Sequence, residues 1–163
     1  MNLILEVYDI KRKNIFLCDP IKNTVMENSN FIRVLYSNPL ITLNSIYIKF
    51  NIIPNSVEKY FNKYKCSFDI EKNKPIISEL CRLEDDIISL IKTTKESIKK
   101  ITHQLKSGNI KIFSENVISS KHDEYILKIS GIWETDKQFG ITFKFMDINS
   151  PTLIGELSPI PSL

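Results

Sequence analysis

The chain has 163 residues, 42% hydrophobic and 25% charged, with a formal net charge of +3. These values are those of one globular domain and exclude a disordered tail, a collagen-like fibre and a disulfide-dense miniprotein. A charge of +3 is too small to demand a nucleic-acid partner, so the position of the charges matters more than their sum.

The three cysteines, Cys18, Cys66 and Cys81, form no C-x-x-C pair and no zinc spacing with His103 or His122. They read as free thiols in a reducing compartment. No secretory leader is evident, since Glu6 and Asp9 interrupt the apolar start, and no run reaches the length of a membrane span. An intracellular protein without a membrane partner is expected. Ile, Asn and Lys are abundant and Ala is absent, a bias of AT-rich genomes that bears on no fold.

In chain order, Asn2–Tyr8 is apolar and β-branched and predicts a strand, with Asn14–Cys18 returning after a basic turn. Phe31–Tyr36 predicts the next strand, ended by Ser37-Asn38-Pro39. Ile41–Ile52 alternates and predicts one long strand. Pro54-Asn55-Ser56 then reads as the cap of a short helix over Val57–Tyr64, with Val57, Phe61 and Tyr64 facing inward. Cys66–Ile70 predicts a brief strand.

The longest predicted element is a helix over Lys74–Lys106. Pro75 suits its first turn, and Ile76, Leu80, Leu83, Ile87, Leu90, Ile91, Ile98, Ile101 and Leu105 recur at helical spacing. Gly108 stands where a helix ends, and acids early with lysines late complement the macrodipole. About 31 residues of such a helix span about 46 Å, against a domain diameter of roughly 40 Å, so either it bends or its protruding end meets another chain, in a homodimer or with a protein partner. Strands resume at Asn109–Phe113, and Glu124–Trp133 with Phe139–Met146 predicts a hairpin. Residues 149–163 hold Pro151, Pro159 and Pro161 and read as a tail. The sum is one α+β domain over 1–148: a mostly antiparallel sheet or OB-like barrel of about six to eight strands, with one long amphipathic helix before the C-terminal hairpin.

Catalytic signals are weak. Ser119-Ser120-Lys121-His122-Asp123 is no triad, because neighbouring side chains cannot converge in the required geometry. Glu84-Asp85-Asp86 diverge around a helix and read as a solvated acidic face. With four glycines and no phosphate-loop pattern, no catalytic residue, metal ligand or cofactor is assigned.

Binding signals are stronger. Lys92, Lys95, Lys99 and Lys106 lie within one broad face of the predicted helix and mark it as an interaction helix. Aromatic residues fall in predicted strands beside cations, the composition by which single-strand binders stack bases and hold phosphates. Tyr47, Trp133 and Phe143 are the candidate stacking residues; Arg33, Lys49, Lys128 and Lys144 are the candidate phosphate contacts.

Phe31–Ser37 running into Leu43–Ile48, and Ile126–Glu134 with Gly140–Phe145, resemble segments of small uncharacterised proteins of large double-stranded DNA viruses, especially those of invertebrates. That resemblance implies a single-strand DNA-binding protein with a β-rich, OB-like core. It covers a third of the chain and assigns no site residue. Two functions are therefore expected. The first is a non-enzymatic viral protein that binds single-stranded nucleic acid. The alternative is a structural subunit of a viral complex that docks through the long helix and the tail.

Overall fold

The computed structural model describes residues 3–149, so the expected Pro-rich tail beyond Asn149 lies outside the described residues. The strands are β1 (Ile4–Glu6), β2 (Ile15–Leu17), β3 (Ile21–Lys22), β4 (Asn30–Ser37), β5 (Thr42–Asn44), β6 (Ile46–Asn51), β7 (Pro54–Tyr60), β8 (Lys63–Phe68), β9 (Glu96–Ile98), β10 (Asn109–Phe113), β11 (Glu124–Glu134) and β12 (Gln138–Asp147). The helices are α1 (Lys74–Ile88) and α2 (Lys100–Lys106).

The β11–β12 hairpin is the axis of the sheet, as its alternating sequence predicts. The main strand order is β1-β6-β11-β12-β10-β8-β7. β11 changes partner along its length: Glu124–Ile129 pairs with β6, and after a bulge at Ser130, Gly131–Glu134 pairs with β4. The extra residue turns the strand, so one element serves two neighbours. β4 in turn carries β2, β3 and β5. The expected single strand over Ile41–Ile52 is likewise split, because Ser45 takes φ 75° and sends β5 to β4 and β6 to β11.

This corrects the expected fold. Among the described residues the sheet has twelve strands and is open, with β1 and β7 at the two ends of the main order rather than closed into an OB-like barrel. It is mixed, since β1/β6, β10/β12 and β9/β12 are parallel.

The long helix is also corrected. It ends at Ile88, and the chain runs through a turn into β9 before α2 begins. Local chemistry favours the break: the Ser89 hydroxyl donates to the Asp86 carbonyl, and Thr93-Thr94 are poor helix formers. Two non-local interactions complete it. β9 pairs with the edge of β12 at Gln138–Gly140. Glu84, wholly buried on α1, accepts from the Ile101 and Thr102 backbone N–H groups at 3.2 and 2.7 Å, capping α2. Glu84 is thus a cap between helices and not part of a solvated acidic face. With the helix divided, the overhang that implied a dimer is gone.

The expected helix over Val57–Tyr64 is instead the β7–β8 hairpin. β7 is an edge strand, where a leading Pro54 and the charges of Glu58 and Lys59 are tolerated.

Both helices cover one face of the sheet. Ile77, Leu80, Leu83 and Ile87 of α1 and Ile101 and Leu105 of α2 pack with Phe50, Leu127, Ile129, Ile110, Ile112 and Phe145. Each such side chain contributes about 1.5–3 kcal/mol on burial. Asn73 fixes the start of α1: its amide exchanges hydrogen bonds with the Ile53 N–H and C=O and donates to the Asp69 carbonyl. Among the described residues, the opposite face carries a small buried cluster, Tyr47, Ile126 and Met146.

Candidate nucleic-acid interface

The face away from the helices is basic because of strand register. In β8, Lys63 and Lys65 alternate with buried Tyr64 and Cys66; in β10, Lys111 lies between buried Ile110 and Ile112. In the central hairpin, Lys128 stands directly opposite Lys144. Lys111 stands directly opposite Lys65. Directly opposed like charges repel, and Glu58 of β7 stands opposite Lys65 on its other side. Among the described residues, no carboxylate lies within ion-pair distance of Lys63, Lys65, Lys111 or Lys144.

Aromatic rings hold the lysine side chains in place. The Lys144 and Lys63 ammonium groups stand 4.7 and 4.5 Å from the centroid of the Phe113 ring. Lys128 stands 5.4 Å from the Tyr47 ring. The result is a row, Tyr47–Lys128–Lys144–Phe113–Lys63, across β6, β11, β12, β10 and β8. Four inter-strand spacings give it a length of about 19 Å.

A cleft of about 580 Å³ opens further along β11 and β12, under the segment 21–26, with Phe31, Arg33, Lys100, Trp133 and Thr142 in its lining. Two glycines make room for its rings. A Cβ on Gly140 would lie 2.9 Å from the Trp133 ring, and a Cβ on Gly131 would lie 2.6 Å from the Phe31 ring. The Lys100 ammonium is 5.8 Å from the indole centroid, and Arg33 donates to the Asn44 side-chain carbonyl at 2.8 Å.

The expected site residues therefore divide. Lys128 and Lys144 share the row, while Arg33 and Trp133 share the cleft. Phe143 borders the cleft, but its ring meets core Phe145 edge-on at 5.6 Å. Tyr47 is 2% exposed and supports Lys128, so it offers no ring face to a base. Lys49 is neutralised by Glu124 at 3.3 Å.

The four lysines of the expected interaction helix do not share a helix. Lys92 is in the turn, Lys95 pairs with Glu134 at 2.7 Å, Lys99 precedes α2 and pairs with Asp85 at 2.6 Å, and Lys106 ends α2. Sequence reading missed Lys63, Lys65, Lys100, Lys111 and Phe113. The signal for most of them was present, since Lys63-Tyr64-Lys65-Cys66 and Ile110-Lys111-Ile112 alternate lysine with apolar residues.

His122 lies 2.9 Å from Asp147, whose other oxygen is 3.5 Å from the Ser114 hydroxyl. Serine and imidazole both address the carboxylate and not each other, so no nucleophile–base hydrogen bond forms here. Among the described residues, no helix is long and apolar enough to cross a membrane. Comparison with protein-family models, curated proteins and solved structures finds no match.

Proposed function

We propose that this protein binds single-stranded nucleic acid, without catalysis, on the sheet face opposite its helices. One observation carries the reading: two directly opposed lysine pairs, Lys128/Lys144 and Lys65/Lys111, lie on one face. Like charges directly opposite each other in a ladder repel. A polyanion laid across the strands relieves the repulsion and releases its own counterions. A separate cleft at Trp133, which Lys100 of α2 helps to line, also sets an aromatic ring beside cations. Docking through one long helix is not retained, because α1 and α2 are separate and their apolar faces are buried.

The test is fluorescence anisotropy of a labelled oligo-dT at two salt concentrations. Binding at micromolar concentration or tighter that weakens steeply with salt is expected. Glu substitutions at Lys128 and Lys144 should flatten the salt dependence. No binding at low salt refutes the proposal.

A further inference from the structure

We infer that the tip of the β7–β8 hairpin, Tyr60–Phe61, is a base-stacking element at one end of the lysine row. This rests on the nucleic-acid reading and adds the residues that would contact bases. Tyr60 and Lys63 are the last paired residues, so Phe61 and Asn62 form a two-residue turn. Phe61 has φ 54°. The first position of such a turn selects Gly, Asn or Asp, because a Cβ there crowds the following carbonyl. A phenylalanine is among the least suited residues.

Burial does not compensate for this. Phe61 is 82% exposed and Tyr60 54% exposed. Their rings meet at 4.8 Å with planes 80° apart. An edge-to-face pair of this kind stiffens the tip and leaves a ring face open. A strained, exposed aromatic residue in a glycine position indicates use outside the fold.

The surroundings identify the partner. Tyr60, Lys63, Lys65 and Lys111 line a groove of about 240 Å³ beside the tip. From Lys63 the basic row continues over Phe113 to Lys144 and Lys128. A bilayer surface would meet the tip and its flanking Lys59 and Lys63. A flexible polyanion lying along the face meets those and also Lys65, Lys111, Lys144 and Lys128. The occupant is therefore a single strand, with a base on the tip and its phosphates on the lysines.

Phe61→Gly separates binding from folding, because glycine suits the turn. The variant should melt at or above the temperature of the unchanged protein. It should bind oligo-dT about tenfold more weakly, with the salt slope unaltered because no cation is removed. Phe61→Tyr should restore the affinity. If the unchanged protein binds oligo-dT and Phe61→Gly binds equally well, the tip is not a stacking element and the lysine face stands alone. If the unchanged protein does not bind at any salt concentration, both readings fall. Sedimentation with phosphatidylserine vesicles provides the remaining arm: vesicle binding that is lost in Phe61→Gly while oligo-dT binding persists makes the tip a membrane element and overturns the inference.

Discussion

Lys111→Glu should stabilise the folded protein while weakening its binding of nucleic acid. Lys111 faces Lys65 across the β8/β10 ladder, and both side chains are exposed. Directly opposite residues in such a ladder have Cβ atoms about 4.5–5.5 Å apart, and charged pairs there contribute roughly 0.2–1 kcal/mol in either direction. The substitution exchanges a repulsive pair for an attractive one. Solvent exposure reduces the gain to on the order of 0.5 kcal/mol. For a chain of this size that is a rise of about 1–2 °C in Tm. The rise should shrink in 1 M salt, where the Debye length falls to about 3 Å. Binding should move the other way: loss of one phosphate contact lowers the slope of log K against log salt by about 0.7 for a single strand. The assays are differential scanning fluorimetry across a salt series and oligo-dT anisotropy over the same series. A lower Tm together with an unchanged binding slope would refute the reasoning, because the lysine pair would then serve the fold and not a ligand.

Three further outcomes follow from the packing. Gly131→Ala places a Cβ 2.3 Å from the Ile32 carbonyl oxygen and 2.6 Å from the Phe31 ring. The oxygen belongs to the paired strand and cannot yield without moving β4, so the change should cost about 3 kcal/mol and lower Tm by roughly 6–12 °C; an unchanged melting curve would contradict the register of β11 with β4. Burial raises the Cys66 thiol above its ordinary 9.0 and the Tyr125 phenol above 10.0. The folded chain therefore keeps both protons at a pH where the unfolded chain sheds them, and the stability they confer is full below about pH 9 and lost as pH rises beyond it. Urea midpoints should fall between pH 8.5 and pH 10 and fall less in Cys66→Ala, and iodoacetamide should label the half-buried Cys18 and Cys81 before the buried Cys66.

The parts of this fold that local pattern determines were legible in the sequence. Leu127 and Ile129 alternate with Lys128 and face Phe145 and Phe143 in register, so the β11–β12 hairpin and the adjacency of Lys128 and Lys144 follow from period and turn alone. The break after Ile88 did not follow in that way. Ile98, Ile101 and Leu105 continue the helical spacing of α1 by coincidence; Ser89 and Thr93-Thr94 only favour a break, and the interactions that complete it, the pairing of β9 with the edge of β12 and the Glu84 cap on α2, join residues far apart in the chain. The Lys65/Lys111 pair was hidden for the same reason. β8 and β10 are joined only through both helices and β9, so no local signal could place those two ammonium groups opposite each other.

The segment Val57–Tyr64 shows how a wrong period changes a functional conclusion. At helical spacing, Val57, Phe61 and Tyr64 share an inward face, and Phe61 becomes a core residue with nothing to explain. At strand spacing, Tyr64 and Cys66 point inward, Lys63 and Lys65 point to the opposite face, and Phe61 falls in the turn. Lys63-Tyr64-Lys65-Cys66 favours the strand, because a helix would scatter those two lysines by about 200° and bury neither neighbour consistently. Once the strand is accepted, Phe61 is no longer a packing residue: it is a large apolar side chain exposed at a position whose backbone suits glycine. The same arithmetic that turns Lys65 toward Lys111 therefore also exposes Phe61, and the charged face and the aromatic tip are two consequences of one hairpin.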